Sequence, residues 1–369
     1  MSDPAAPPLD ASMTYRAAGV APGEGLLGGL LSWVQRTASL RGGAGRLLVP
    51  NGYFASVVEL TPELGLAICT DGVGTKVLVA EMLGRYDTIG IDCIAVNVND
   101  LICVGAEPIA VVDYVATGRA DAAILTEIGK GLYEGARQAG VTIPGGELAQ
   151  LPEIIHGIRP GEGIDLLGTA VGTVHPQRIL TGAGIRPGDV VIGLASSGVH
   201  SNGLTLARRV LLDRGGLKPD ERVPELGRSI GAELLEPTRI YVRAVRALLA
   251  SHLDVRAAAH ITGDGFLNLA RCAAPVGFVL DDLPTPPPVF DLIQRLGHVP
   301  PEEMYLAFNM GIGFCVVVQE EQVDDAVALL EREGAPAQRI GHAAADPEKR
   351  IRLPREGLVG ADGAFRPAA

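Results

Sequence analysis

Residues 85–105, "RYDTIGIDCIAVNVNDLICVG", carry apolar side chains at helical spacing around small ones. That pattern predicts a buried helix. Yet Asp92, Asn97, Asn99 and Asp100 lie inside it. A buried carboxylate without a partner is too costly to keep, so the fold has to bring donors or a cation to these positions. Just upstream, Asp71 closes the apolar run "GLAIC", and Asp87 reads as a helix cap near the surface. Asp92 reads as a group that satisfies buried hydrogen bonds.

Strand-like and helix-like segments alternate on either side of that helix. "GLAICT" (65–70) and "EPIAVVDYVATG" (107–118) read as strands, and "ADAAILTEIGKGLYEGARQAG" (120–140) as an amphipathic helix stopped at Gly140. "VTIPGGELAQL" and "IDLLGTAVGTV" supply two more strands. A second unit begins near "ILTGAGIRPGDVVIGLASSG" (179–198). Its helices are read at 201–216, capped by Ser201 or Asn202, at 237–251 and at 320–334. Its strands are "APVGFVLDDLP", "NMGIGFCVVVQ" and "RIGHA". A helix is also expected within 23–40, and the two termini (1–13 and "GADGAFRPAA") read as loose. The fold class is α/β of the α+β type, with mixed sheets and helices packed on one side. The domains are expected at 1–175 and 176–369.

Composition sets limits on function. Of 369 residues 47% are hydrophobic and 4% aromatic, enough for a large aliphatic core. A net charge of −12 argues against nucleic-acid partners, which need a basic surface. It leaves room for a phosphorylated small substrate held by backbone amides and a metal ion. The five cysteines include no CxxC pair and sit in apolar contexts, so they read as reduced buried thiols. There is no membrane-length apolar run and no signal-peptide pattern, and the chain is expected in the cytoplasm.

Five short stretches, four of them glycine-bearing turns, could carry chemistry. "TDGVGTK" (70–76) gathers Asp71, Gly72, Gly74, Thr75 and Lys76 after a strand. Such a turn suits a phosphate and a divalent cation, or is simply a β-turn before a helix. "NVND" supplies Asn97, Asn99 and Asp100. With Asp71 these could build a Mg²⁺ site, or form an internal hydrogen-bond network. "IPGGELAQLPE" places Gly145, Gly146 and Glu147 at a strand end, as a third acidic group or an exposed turn. "SSGVHSNG" (196–203) puts His200, Ser201 and Asn202 at a helix start that could hold an anion or merely be capped. "HITGDG" adds His260, Thr262 and Asp264.

These stretches, with "DYVATG", "PTRIYV" and "EMYLAFNMGIG", follow one another as in phosphoribosylformylglycinamidine cyclo-ligase, the aminoimidazole ribonucleotide synthetase family. The chain resembles that family from "TYRAAGV" at residue 14 to about residue 345. Thiamine-monophosphate kinase, selenophosphate synthetase and hydrogenase maturation proteins share the fold and the Asp motifs, but are not expected to share the last three stretches. The resemblance implies two domains per subunit, a homodimer joined through its N-terminal sheets, and ATP bound near that interface. It implies a ligase of purine biosynthesis acting on a phosphorylated ribonucleotide, with ATP and Mg²⁺ as cofactors. Asp71 and Asp100 would hold the metal and the ATP phosphates, with Lys76 nearby and Glu147 at nucleotide or substrate. His200 and His260, with Ser201 and Asn202, would line the cleft. Three segments depart from the family pattern: "NGYFASV" (51–57), "GGELAQLP" with Gln150 at an acidic position, and "HITGDG", which offers Asp264 as a further metal ligand. The competing readings are an ATP-dependent enzyme of the same fold acting on another amide or acyl substrate, and a silent nucleotide-binding dimer. Retention of Asp71, Lys76, Asp100, His200 and His260 speaks for the enzyme.

Overall fold

A computed structural model describes residues 12–20, 27–49, 52–159 and 161–368. Of the helix expected within 23–40, α1 covers Gly28–Val34 and a 3₁₀ turn follows it. Residues 23–26, most of the expected loose start and Asn51 of "NGYFASV" lie outside the described residues.

The first half is a six-stranded sheet backed by helices. Its strands are β1 (Leu47–Val49), β2 (Ser56–Thr61), β3 (Leu64–Gly72), β4 (Glu107–Thr117), β5 (Gly146–Gln150) and β6 (Ile164–Val174), in the order β1-β2-β3-β6-β4-β5. Only β4 and β5 pair in parallel; the other neighbours are antiparallel. The helices are α2 (Lys76–Leu83), α3 (Ile89–Cys103) and α4 (Ala122–Ala139). Along β6 the even positions from Leu166 to Val174 are buried against α3, while Leu167, Thr169, Val171 and Thr173 face away. Among the described residues no helix packs on that second face. It presents Leu66, Ile68, Val112, Tyr114, Leu167 and Val171 in one register.

The second half holds an eight-stranded sheet. In chain order its elements are β7 (Val190–Ala195), α5 (Leu204–Arg208), the short pair β8 (Arg222–Val223) and β9 (Arg228–Ser229), α6 (Ile230–Leu234), α7 (Val242–Leu249), β10 (Ala257–His260) and β11 (Val276–Val279). Then come α8 (Pro288–Gly297), α9 (Pro301–Ala307), β12 (Ile312–Val318), α10 (Val323–Arg332), β13 (Ala337–Ala345), β14 (Ile351–Leu353), β15 (Leu358–Ala361) and β16 (Ala364–Pro367). The strand order is β10-β12-β7-β13-β11-β14-β15-β16.

α3 lies between the halves, touching β3 and β6 on one side and β10 and α7 on the other. Thirteen of its fifteen residues are buried, which is why its sequence has no polar face. α4 lies backbone-to-backbone on it. A Cβ at Gly131 would sit 2.2 Å from the Asp87 carbonyl oxygen, and one at Gly90 2.3 Å from Leu132 N.

Several expectations are corrected here. The helix expected over 237–251 starts only at Val242. The one expected over 201–216 has Gly203 as its N-cap, with no side-chain cap from Ser201 or Asn202. Asp87 does not cap α3; it pairs with Arg85 Nε at 2.9 Å, and Thr88 holds the cap position. The end of the chain is ordered rather than loose: β15 and β16 form a hairpin whose turn residues Asp362 and Gly363 both have positive φ, 50° and 73°.

Candidate active site

The registers of β3 and β6 turn Cys69 and Asp71 toward α3, since both pair with buried positions of the helix-facing side. Asn97, two turns into α3, donates from Nδ2 to the Asp71 carbonyl at 3.1 Å and to Cys93 O at 2.9 Å. Asp71 Oδ1 accepts from the N–H of Gly72 at 2.7 Å. Its carboxyl is raised above its ordinary value, first by desolvation and then by the negative charge of Asp100. Asp100 is partly exposed and its Oδ1 stands 2.9 Å from Nδ1 of His260, which is buried at the end of β10. The structure therefore brings Asp71, Asp100 and His260 together, with the carboxylates toward solvent and the imidazole behind.

Lys76 takes a place other than the one expected of it. Its side chain is fully buried, and its ammonium lies 2.9 Å from Asp92 Oδ1 and 2.5 Å from the carbonyl of Glu236. The same Oδ1 accepts from Thr238 N at 2.7 Å, Thr238 Oγ1 at 2.6 Å and Ser201 Oγ at 3.2 Å. A dry ion pair of this kind is a brace between α2, α3 and the segment 236–238, not a charge facing a ligand. Seven residues along α3, Asn99 repeats the grip: Oδ1 accepts from Tyr241 N at 3.0 Å and Nδ2 donates to Arg239 O at 2.9 Å. Residues 237–241 are thus an irregular strap held by two polar side chains of α3, which is why they do not join the helix.

His200 is also sealed in. Its Nε2 accepts from Ser197 N at 3.1 Å, so the ring proton sits on Nδ1, and burial holds its pKa well below the usual value. The residue has φ 65°, a left-handed conformation uncommon outside glycine. Asn309, from "FNMGIG", fixes that loop by donating to Gly198 O at 2.9 Å and Val199 O at 3.1 Å. Gly313 makes room for it: a Cβ there would lie 2.1 Å from Tyr241 Oη and 2.5 Å from His200 Cε1.

Other expected residues lie elsewhere. Gly72 and Gly74 form the turn after β3, and Thr75 bridges to Thr205 Oγ1 at 2.9 Å, tying the turn to α5. Gly145, Gly146 and Glu147 are exposed at the edge of the first sheet. Glu147 pairs in register with Tyr114, on the face away from Asp71. Asn202 is half-buried beside the turn at Gly263. Asp264 pairs with Arg271 at 3.3 Å rather than joining the carboxylates. Among the described residues no group of three His, Cys, Asp or Glu side chains forms a metal cage. All five cysteines are free. Reading the residues left Thr238, Arg239 and Asn309 out of the site. Their signal was present in "PTRIYV" and "FNMGIG", but a backbone strap has no periodicity of its own.

Residues 52–174 match the AIR synthase related protein N-terminal domain, and residues 186–354 the C-terminal domain. The chain is 51% identical over 285 residues to the phosphoribosylformylglycinamidine cyclo-ligase of Methanothermobacter thermautotrophicus, covering 77% of this chain and 82% of that protein. It is 50% identical over 292 residues to the one from Thermococcus kodakarensis, covering 79% and 83%. The chain belongs to the phosphoribosylformylglycinamidine cyclo-ligase family. The fold of this cyclo-ligase family member is shared more widely. Thiamine-monophosphate kinase from Stenotrophomonas maltophilia superposes with TM-score 0.59 at 22% identity, covering 88% of this chain and 95% of that one. Hydrogenase maturation protein HypE in complex with ATP gives 0.57 at 20%, covering 82% and 84%. The family expected from the motifs is the family found, and the kinase and hydrogenase-maturation likenesses extend to the fold.

Proposed function

We propose that this chain converts formylglycinamidine ribonucleotide to aminoimidazole ribonucleotide, releasing ADP and phosphate. The observation that carries the reading is the Asp71–Asp100 pair, held by Asn97 and His260, in a chain of this family. In the reaction the formyl amide oxygen takes the γ-phosphoryl group of ATP and ADP leaves. The internal amine then attacks the activated carbon, the C–N bond closes the ring, and phosphate departs with that oxygen. Little covalent chemistry falls to the protein; positioning and charge neutralisation carry the step.

The donor set suits Mg²⁺. Two hard carboxylates stand close enough for Asp100 to raise Asp71, and Mg²⁺ is commonly held by one or two carboxylates, waters and phosphate oxygens rather than by a full protein cage. Asp71 and Asp100 would hold it, and it would supply charge neutralisation for the phosphates. His260 keeps Asp100 in place. Lys76 and His200 act by holding the strap and the 196–203 loop around the cleft. Glu147 stands on the open sheet face and would meet ligand there only across a subunit boundary.

The uncovered apolar face of the first sheet supports a homodimer joined sheet to sheet. The division into units 1–175 and 176–369 is our reading; it is supported by strands at 47–174 falling in one sheet and the long sheet of the second half starting at 190. No helix among the described residues is long and apolar enough to cross a membrane.

ADP release that depends on formylglycinamidine ribonucleotide is the direct test. Asp71→Asn and Asp100→Asn should each lower that turnover about 100-fold or more with unchanged thermal unfolding. Near-normal turnover in either variant would sink the metal assignment, and ADP release only with another amide would sink the substrate.

A further inference from the structure

Arg239 makes its hydrogen bonds to the described residues through its main chain. Its carbonyl accepts from Asn99 Nδ2 at 2.9 Å, and its N–H approaches His200 Nε2 at 3.5 Å. The side chain is half-buried and makes no hydrogen bond or ion pair with any described residue. It finds no carboxylate, although Asp100 adjoins the very asparagine that grips its backbone. A guanidinium stays charged at any working pH. A cation drawn partly out of water without a counter-charge is costly.

Two more donors nearby lack acceptors. Ser196 Oγ and His200 Nδ1 are buried without a hydrogen-bond partner, His200 being 4% exposed. Their loop is joined to the Arg239 strap by Ser197 Oγ, which donates to Pro237 O at 2.5 Å. The Arg239 charge also helps to lower the His200 pKa, after burial, His260 and Lys76, so the guanidinium lies within electrostatic reach of that ring. Donors without acceptors therefore gather where the 196–201 loop meets the 237–241 strap, which α3 holds through Asp92 and Asn99.

We infer that the Arg239 guanidinium binds a phosphate group of a phosphorylated ligand at this junction. The inference rests on the cyclo-ligase reading for the identity of the ligands, and deepens it by naming a contact. Arginine's fork meets two phosphate oxygens at once. The phosphate has two available sources, the polyphosphate of the nucleotide and the 5′-phosphate of the ribonucleotide.

The test is equilibrium binding to the full-length protein, with inorganic tripolyphosphate as the nucleotide-side probe and ribose 5-phosphate as the ribonucleotide-side probe. In Arg239→Gln one of them should bind at least about ten-fold more weakly, the loss of a charged hydrogen bond, and which one weakens identifies the source. Thermal unfolding should not move, because the backbone contacts persist. Unchanged binding of both probes would overturn the inference, as would failure of the wild type to bind either. A variant that loses its fold would also overturn it, by showing the guanidinium to be structural. Absence of substrate-dependent ADP release, with the probe results as expected, would strike the cyclo-ligase reading and leave the phosphate contact standing.

Discussion

Four donors converge on a single oxygen of Asp92, while its Oδ2 has none. Such a group is a structural keystone: removing one partner strands a charge in a dry interior. Lys76→Met should therefore cost about 3–5 kcal/mol of stability, read from the denaturant midpoint in equilibrium unfolding. A surface lysine poised over a phosphate would cost almost nothing, so an unchanged midpoint would return Lys76 to a ligand-facing role. At this scale the sequence was half legible. That Asp92 meets buried hydrogen bonds could be read from its apolar neighbours. That its partners are Lys76 and Thr238, 16 and 146 residues away, could not, because chain separation says nothing about which backbone amides point inward.

Among the elements, α3 was the most readable, because a helix without a polar face has one place to go. Its contact with α4 depends on glycines that a periodicity reading treats only as weak helix formers. Gly131 and Gly90 let the two backbones touch, and Gly135 receives Ile94, whose Cβ would lie 2.9 Å from an added methyl. Gly131→Ala improves local helix propensity by roughly 1 kcal/mol yet has nowhere to put its methyl. Tertiary overlap should win, costing on the order of 1–3 kcal/mol and lowering the melting temperature. A rise would show that the helices can slide apart freely. The C-terminal hairpin shows the opposite kind of omission. The "ADGA" turn is a strong local signal, masked by the small residues and the proline around it.

For the whole molecule, the six-stranded sheet leaves Val112 42% exposed among the apolar residues opposite the helices. A subunit that keeps this face wet would be unusual. If the chain pairs through this face as proposed, Val112→Arg should halve the mass read by light scattering while the chain keeps its helix content. An unchanged mass would show that this face is not an interface between copies.

The strap at 237–241 also bears on how this chain can be divided. It belongs in sequence to the second half, but its amides and carbonyls are satisfied by Asp92 and Asn99 of the first. Cutting the chain between the sheets would leave one fragment with a carboxylate and a lysine facing open water, and the other with a loop deprived of its form. The halves are not interchangeable modules. A lineage that swapped one of them would have to swap α3 and the strap together, since each is legible only to the other.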